Sequence, residues 1–193
     1  MSCPFCNFNN DDISNTIIEQ TQNFLILPSK GALCDGYLLI VPKQHLNSMN
    51  ELDNKQKEEL NIIIEKYQKK FFEIYNKSPI FFEHGSSQTQ IMSASSVTHA
   101  HMHIVNHNFS NQNQIISELN FQKVDKKIFF KNQNKNYISY ISPNGEYYIS
   151  YNFKPVSQQM RIYIARDLNL TDCYNWKTFG FENNIIETIK NFS

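Results

Sequence analysis

The 193-residue chain lacks the features that mark several broad classes of protein. It contains no apolar run as long as a membrane-spanning helix, and its first residues, MSCPFCNFNN, do not have the character of a secretory signal. Lysine and arginine together number 18, as do aspartate and glutamate, so no excess of positive charge points to a nucleic-acid partner. We therefore expect a soluble cytoplasmic protein that binds neither membranes nor nucleic acids.

Arginine is the scarcest charged residue type, with only Arg161 and Arg166 in the chain. A site for phosphate cannot depend on a cluster of arginines, so it would have to use histidine, hydroxyl and backbone N–H groups. Four cysteines are present, and disulfides between them are not expected in an intracellular chain. With 40% hydrophobic residues the chain can bury a core, and its length suits one domain, with or without an extension.

Histidine is rare as well, but its distribution is uneven. Three of the six histidines, His99, His101 and His103, occupy alternate positions within the sequence THAHMHIVNHN. Side chains alternate across a β-strand, so these imidazoles would share one face while the apolar residues between them share the other. One interpretation is an exposed face that is rich in histidine by chance or binds metal fortuitously. The other is a catalytic row, in which one imidazole attacks as a nucleophile and its neighbours orient phosphate oxygens.

The hydrophobic pattern predicts an α+β fold, with an antiparallel sheet, a long amphipathic helix, and a C-terminal β-hairpin and helices. The predicted strands of the first part are 23–28, 36–42, 79–85 and 97–105, and its helix is 53–76, opened by a capping box at Asp53 and Gln56. After a polar break come a hairpin over 136–153, turned at Pro143-Asn144-Gly145, and helices at 157–168 and 182–192. We expect one domain over residues 1–108 and a β/α extension over residues 109–193 that packs on it.

Four segments of the chain carry a resemblance to a known family. His-Ala-His-Met-His-Ile-Val resembles the signature of the histidine triad (HIT) superfamily of nucleotide hydrolases and transferases, in which histidine alternates with apolar residues. GYLLIVPKQHLNSMNEL at 36–52 and FFEHG at 81–85 are similar to further family segments, and CPFC at 3–6 is similar to the amino-terminal motif of a zinc-containing bacterial branch. The resemblance covers roughly residues 2–106 and implies the HIT fold.

The resemblance implies a role for each histidine of the row. His101, the middle one, matches the nucleophile, which would attack the α-phosphorus of a nucleotide and form a covalent nucleotidyl-imidazole. Its other ring nitrogen would need a hydrogen-bond acceptor, such as a backbone carbonyl, to fix the tautomer. His103 matches the residue that contacts the phosphate and the bridging oxygen, and His99 completes the catalytic row.

The same resemblance supplies candidates for substrate binding. Ser29 falls at a position that contacts the ribose in related proteins, and Glu83 and Ser96 fall at positions near the phosphate. Phe5 and Phe8 would line a base pocket or, as amino-terminal aromatics often do, belong to the core. The implied partner is a purine nucleotide or dinucleotide, and a homodimer is an option because family members often dimerise.

Cys3 and Cys6 have the spacing of a zinc knuckle or of a redox pair. A redox pair is usually preceded by a strand, and only two residues precede this one, so zinc and a metal-free coincidence are the main alternatives. A structural Zn²⁺ needs four ligands. The resemblance implies that His45 and His99 are the remaining two, in which case His99 is held by metal.

Three functions remain open at this stage. The first is hydrolysis of a nucleoside phosphoramidate or a dinucleoside polyphosphate through His101. The second is transfer of the nucleotidyl group to phosphate or another acceptor through the same intermediate. The third is a nucleotide-binding module with weak chemistry, which is suggested by two departures from the family. Tyr37 stands where well-studied members carry a fourth histidine, and Glu83 stands where many have Asn or Gln.

Overall fold

One antiparallel sheet forms the framework of the chain in this computed structural model, which describes residues 3–7, 12–86, 99–131, 135–154 and 156–193. Its strands are β1 (Glu19–Gln20), β2 (Phe24–Pro28), β3 (Tyr37–Pro42), β4 (Ile80–Gly85), β5 (Met102–Val105), β6 (Gln122–Val124), β7 (Tyr137–Ile141) and β8 (Tyr147–Ser150). The helices are α1 (Asn54–Tyr75), α2 (Gln112–Glu118), α3 (Lys126–Phe129), α4 (Gln159–Asp167) and α5 (Glu182–Phe192). The strands are ordered β1-β2-β3-β5-β4-β7-β8-β6, which places β3, β5 and β4 near the centre.

Helix α1 covers one face of the sheet. It starts with the predicted capping box, because the Asp53 side chain accepts from Gln56 N and the Gln56 side chain accepts from Asp53 N. Its apolar stripe packs on the side chains that alternate with the triad histidines. The buried residues of this cluster include Leu60, Ile63, Ile64, Tyr67 and Phe71 of the helix and Ala100, Met102 and Ile104 of the triad strand. The predicted split of the histidine row into an apolar and an imidazole face is thereby confirmed.

The C-terminal part of the chain, residues 109–193, covers the opposite face. Side chains from α2, α4 and α5 bury apolar surface against Tyr37, Phe82 and Val105 of the central strands. The same part also adds β7, β8 and β6 to the sheet, because β7 pairs with β4 through five residue pairs. The result is three layers, with the sheet between α1 on one face and α2, α4 and α5 on the other, while Phe129 of α3 packs on the α1 side.

Strand β5 is shorter than the predicted strand 97–105, since it begins at Met102. Its partner β3 ends at Pro42, which has no N–H to continue the ladder. The chain instead follows the loop after β3, where Ala100 N donates to Leu46 O at 2.7 Å. His99 and His101 therefore lie just before the strand, and residues 97 and 98 lie outside the described part of the chain.

Two other segments have a secondary structure that their hydrophobic pattern does not indicate. The apolar run at 128–130 lies in and just after the short helix α3 rather than in an extended segment. Residues 122–124 form the edge strand β6, which carries no apolar alternation. None of the helices in the described ranges combines the length and the apolar character that a membrane crossing needs.

Candidate functional site

The central strands place three side chains in a row across the sheet. In the register, His103 of β5 pairs with Leu39 of β3 on one side and with Phe82 of β4 on the other. The imidazole of His103 stacks on the ring of Phe82, with ring centroids 4.3 Å apart and planes 11° from parallel. All three side chains line one cavity, so the sheet itself fixes the orientation of this histidine.

His101 is held by its own backbone neighbourhood. Its Nδ1–H donates to the carbonyl of His99 at 2.8 Å, which is the kind of partner that the sequence reasoning required. Burial lowers the pKa of His101, so the ring is neutral near pH 7 and its Nε2 carries a free lone pair. A neutral imidazole with Nε2 free is the form that can attack phosphorus.

His103 is held from the other side by Tyr37. The Tyr37 hydroxyl donates to His103 Nδ1 at 3.0 Å, and burial raises the pKa of Tyr37 to about 12, so the phenol keeps its proton. Burial also lowers the pKa of His103 well below its usual value, and His101 and Arg161 act in the same direction. With Nδ1 accepting, the single N–H of the neutral ring lies on Nε2, where it can donate a hydrogen bond to a substrate.

Four potential metal ligands converge beside the histidine row. The Cys3 and Cys6 thiols and the Nδ1 atoms of His45 and His99 all lie within 4.8 Å of one another. Cys3 Sγ is 3.3 Å from His99 Nδ1, Cys6 Sγ is 3.3 Å from His45 Nδ1, and Cys6 Sγ is 3.6 Å from His99 Nδ1. The predicted four-residue set is thus brought together from three distant parts of the chain.

The geometry of this set fits a tetrahedral zinc site. Tetrahedral zinc with ordinary Zn–S and Zn–N bonds separates its ligand atoms by about 3.3–3.8 Å, close to the separations found here. His99 Nε2–H donates to Pro42 O at 2.8 Å, which leaves Nδ1 unprotonated and turned toward the thiols. Backbone N–H groups of Cys6 and Asn7 both donate to Cys3 O, so the cysteines lie on a tight turn. The donor set therefore fits the ion.

A cavity of about 260 Å³ opens over the imidazole face of the sheet. His101, His103 and His84 line its floor together with Phe82 and Leu39. Its walls come from three other regions, namely the amino-terminal segment (Phe5, Asp12), the loop between β2 and β3 (Ser29, Lys30) and the C-terminal part (Arg161, Trp176). The neutral His101 ring with its free Nε2 and the His103 ring with its Nε2–H thus face the same enclosed space.

Two of the predicted substrate contacts line this cavity and two lie outside the described residues. Ser29 is buried at its edge, and its N–H donates to Tyr37 O at 2.8 Å. Phe5 lies against the histidine row, 5.6 Å from the His99 ring and 5.5 Å from the His101 ring between centroids. Ser96 and Phe8 both fall outside the residues that the structure describes.

Glu83 does not line the cavity. Alternation along β4 turns it to the α1 side of the sheet, where its carboxylate accepts from Met49 N at 2.7 Å and from the Tyr137 hydroxyl. Burial raises the pKa of Glu83 to about 7, against the effect of these two hydrogen bonds. The sequence reasoning placed Glu83 near phosphate, whereas the structure turns it away and makes it a buried link between β4, β7 and the loop before α1.

His84, by contrast, does line the cavity, two residues after Phe82 on the same face of β4. Its Nε2 is buried and has no hydrogen-bond partner among the described residues. Burial, with a smaller contribution from His101, lowers the pKa of His84 to about 4. The ring is therefore neutral near pH 7 and is a poor proton donor for a leaving group.

The sequence reasoning missed the residues that the C-terminal part contributes. Arg161 and Trp176 are more than 55 residues from the histidine row along the chain, and no local pattern connects them to it. The one available signal was rarity, because Trp176 is the only tryptophan and Arg161 is one of two arginines. The scarcity of arginine argued against an arginine cluster, and no sequence pattern marked the single arginine that lines the cavity.

Comparisons with known proteins agree with this geometry. The family model described as "Scavenger mRNA decapping enzyme C-term binding" matches residues 2–117, more than half of the chain and the whole histidine row. No protein with a curated description matches the chain.

Several solved structures are similar to it. A hypothetical histidine triad nucleotide-binding protein from Sulfolobus tokodaii is 18% identical, with 53% of this chain and 67% of that chain covered and a TM-score of 0.42. A zinc-bound histidine triad family protein from Mycobacterium smegmatis is also 18% identical, with 57% and 78% covered and a TM-score of 0.42. A HIT family hydrolase from Legionella pneumophila is 20% identical, with 56% and 96% covered and a TM-score of 0.43. None of these likenesses by itself assigns a ligand or a reaction to this chain.

Proposed function

The chain belongs to the histidine triad superfamily, as its family match over residues 2–117 shows, and from this premise we propose that it is a nucleotide hydrolase. The observation that carries the proposal is the hydrogen bond from His101 Nδ1–H to His99 O. It leaves Nε2 as the free nucleophilic atom of a neutral ring that lines the cavity. The substrate is a purine nucleotide with a leaving group on its α-phosphate, either a phosphoramidate or a dinucleoside polyphosphate.

The proposed reaction has two steps. In the first, His101 Nε2 attacks the α-phosphorus, the bond to the leaving group breaks, and the leaving group takes the electron pair and a proton from solvent water, while His103 Nε2–H donates a hydrogen bond to the bridging atom. In the second, water attacks the nucleotidyl-imidazole and releases a proton to solvent, the P–N bond breaks with its electron pair returning to His101 Nε2, and the mononucleotide leaves. Tyr37 supports both steps because its hydroxyl keeps the His103 proton on Nε2.

The same proposal assigns positions to the rest of the nucleotide. Ser29 would contact the ribose, since it lies at the edge of the cavity next to β3. Phe5 would contact the base or the sugar, since its ring borders both the cavity and His101. Residues 1–108 would then hold the nucleotide and the chemistry, and the C-terminal part would close the cavity.

Zinc belongs to this proposal as a structural ion. Cys3, Cys6, His45 and His99 would hold Zn²⁺, which would tie the amino-terminal turn to the histidine row. A closed site with four protein ligands contributes to folding energy and leaves no position for a reacting water. His99 would therefore position His101, whose ring donates to the His99 carbonyl, and would not itself react.

Release of a mononucleotide tests the proposal. The purified protein is incubated with adenosine and guanosine 5′-phosphoramidates and with dinucleoside polyphosphates, and the products are separated by chromatography. We expect AMP or GMP from the wild-type chain and a loss of several orders of magnitude in kcat for His101→Ala, because covalent catalysis is removed. Free imidazole should restore part of the activity, a rescue that a variant with damaged folding would not show.

Two further readouts separate the alternatives. Denaturation at mildly alkaline pH, where the P–N bond survives, followed by mass spectrometry should find a nucleotidyl group on the peptide that carries His101 and not on the His101→Ala peptide. Adding inorganic phosphate should leave the mononucleotide as the product, since a transferase would yield a nucleoside diphosphate instead. Nucleotide binding without any turnover would contradict the hydrolase and favour the binding module.

A further inference from the structure

The strongest unexplained feature of the cavity is Arg161, the second residue after the start of α4. Its side chain lines the cavity yet is only 3% exposed, so the charge lies inside the protein. Its Nε donates to Tyr174 O at 2.9 Å and one terminal nitrogen donates to Gly31 O at 2.6 Å. These two carbonyls fix the plane of the guanidinium and carry no charge of their own.

The positive charge of Arg161 is left without an anionic partner. Its Nη1 is buried and makes no hydrogen bond to any residue in the described ranges. The ion pairs found in those ranges do not include Arg161, and the cavity's Asp12 is already paired with Lys30 at 2.8 Å. Burying an unpaired cation costs free energy of folding. A fold that holds such a cation at a cavity therefore favours binding of an anion there.

The position of Arg161 relates this anion to the reacting groups. Its guanidinium carbon lies 5.3 Å from the centroid of the Tyr37 ring, and Tyr37 donates to His103. The His103 ring in turn lies 4.9 Å from the His101 ring between centroids. His101, His103, Tyr37 and Arg161 are therefore successive neighbours, with the nucleophile at one end and the cation at the other.

Two contacts join the segment that carries Arg161 to residues 1–108. His107, just after β5, lies 2.9 Å from Asp167 at the end of α4. The loop at Trp176 approaches the loop between β2 and β3 so closely that a Cβ on Gly31 would come within 2.7 Å of Trp176 Cβ. Arg161 is thus held over the cavity by contacts at both ends of its segment.

We propose that Arg161 binds a second phosphate of the substrate, the one joined to the α-phosphate that His101 attacks. The inference rests on the proposed function and names its substrate class, because only a substrate with linked phosphates supplies that second anion. When the bond from the α-phosphorus to the bridging oxygen breaks, the oxygen keeps the electron pair as part of the departing phosphate, His103 Nε2–H donates a hydrogen bond to it, and Arg161 neutralises the charge of that phosphate. Dinucleoside polyphosphates are then preferred to phosphoramidates, whose leaving amine carries no negative charge.

Binding of two nucleotides that differ by one phosphate tests this inference. The probes are AMP and α,β-methylene ADP, whose bridge cannot be cleaved, and their Kd values are measured by calorimetry. We expect the wild-type chain to prefer α,β-methylene ADP by about 10- to 100-fold, as one charge-assisted pair would supply. Arg161→Gln should abolish the preference while leaving the affinity for AMP within about threefold. Arg166→Gln is the matched control, since it removes the other, exposed arginine of α4 and should keep the preference.

Any other result contradicts either the role of Arg161 or the proposed function on which that role rests. If the wild type binds both nucleotides equally, or if Lys30→Gln rather than Arg161→Gln removes the preference, Arg161 is not the phosphate ligand. If neither nucleotide binds, the proposed function fails as well. Should Arg161→Gln not fold, the wild-type chain labelled with ¹⁵N-arginine decides, because it has only two guanidinium groups. α,β-Methylene ADP must then shift the Arg161 signals and AMP must leave them nearly unmoved, with Arg166→Gln giving the assignment.

Discussion

At the scale of single residues, Tyr37 explains how a chain that departs from its family can keep its His103 ring in one orientation and tautomer. A fully buried phenol with its proton retained supplies His103 with the hydrogen bond that sets its tautomer. A histidine at position 37 would change its own protonation near neutral pH, whereas this phenol does not. The departure therefore alters the partner of His103 without removing it.

Replacing that single hydroxyl should weaken catalysis more than folding. Tyr37→Phe keeps the buried ring and removes the donor to His103, so we expect kcat to fall roughly tenfold or more and the free energy of unfolding by about 1 kcal/mol. Steady-state kinetics and thermal melts measure the two effects. Tyr140→Phe is the matched control, since it removes another buried hydroxyl, the donor to Gln112, away from the cavity. Equal kinetic losses in both variants would refute the role given to Tyr37.

For Glu83 we predict an effect of pH on the free energy of unfolding rather than an effect on turnover. Its folded pKa of about 7 lies above the usual value for glutamate, so the folded state binds more protons between about pH 4.5 and 7. Wild-type stability relative to Glu83→Gln should therefore be greatest below about pH 4.5 and should fall as the pH rises through 7, by at most about 3 kcal/mol. Unfolding of both proteins in urea at pH 5, 6, 7 and 8 measures this difference. A constant difference across the series would mean that Glu83 does not titrate in this range.

The residues of the site differ in how far sequence could predict them. The histidine row and the cluster of Cys3, Cys6, His45 and His99 were predictable because rare residue types recur at short, regular spacings or in matching segments. The orientation of Glu83 was not, because Phe81 and Phe82 are both apolar and both faces of β4 are buried, so alternation gives no direction. Arg161 reaches the site only through the packing of α4, which no local pattern encodes.

At the scale of secondary-structure elements, local signals predicted those strands and helices whose ends are chemically marked. The strands that end at Pro28 and Pro42, the capping box at Asp53 and the turn through Gly145 all appear where the sequence placed them. Strand β5 was predicted too long because its length depends on its partner, which runs out of N–H groups at Pro42. The sequence did not predict edge strand β6, because its residues show no apolar alternation and its extended structure depends on pairing with β8.

The contact between the β2–β3 loop and the C-terminal part depends on Gly31. An alanine there would strain a backbone at φ +67° and bring its Cβ within 2.7 Å of Trp176 Cβ. Gly145→Ala is the control, since it has a similar φ of +76° and nothing within 4 Å of the added carbon. We expect Gly145→Ala to lower the free energy of unfolding by about 1 kcal/mol and Gly31→Ala by about 1–3 kcal/mol more. Chemical denaturation measures both, and equal losses would show that the loop contact is loose.

At the scale of the whole molecule, the sheet is continuous across the boundary that the sequence suggested near residue 108. Strands β7, β8 and β6 extend it beyond β4. Helices α2, α4 and α5 bury apolar surface on the sheet face that carries the histidine row. The division into a domain over residues 1–108 and an extension over residues 109–193 stays a prediction. Because of this packing the two parts share the cavity, with the histidine row on one part and much of the wall on the other.

The described amino-terminal turn meets the rest of the chain through Cys3 and Cys6, beside His45 and His99, and through the Phe5 ring, so zinc bound there should matter to stability before it matters to chemistry. The Cys3–His99 connection closes a loop of almost a hundred residues, and an ion at this point would stabilise the folded chain by about 3 kcal/mol or more. In a chain of this size that corresponds to roughly 6–12 °C in melting temperature. We therefore expect about one zinc per chain after purification without a metal-binding tag, and none in Cys3→Ala, as measured by elemental analysis.

The two neighbouring histidines then separate stability from catalysis. His99→Ala should melt at a clearly lower temperature than the wild type and should no longer respond to a strong chelator, because the ligand set is already broken. His101→Ala should melt like the wild type, keep its sensitivity to the chelator and lose turnover, because the role proposed for its ring is attack on phosphorus and it is not one of the four candidate metal ligands. Thermal melts of the three proteins with and without chelator, each paired with an activity assay, measure this division. If His99→Ala melted like the wild type while losing all activity, His99 would belong to the chemistry, and any zinc would lie elsewhere.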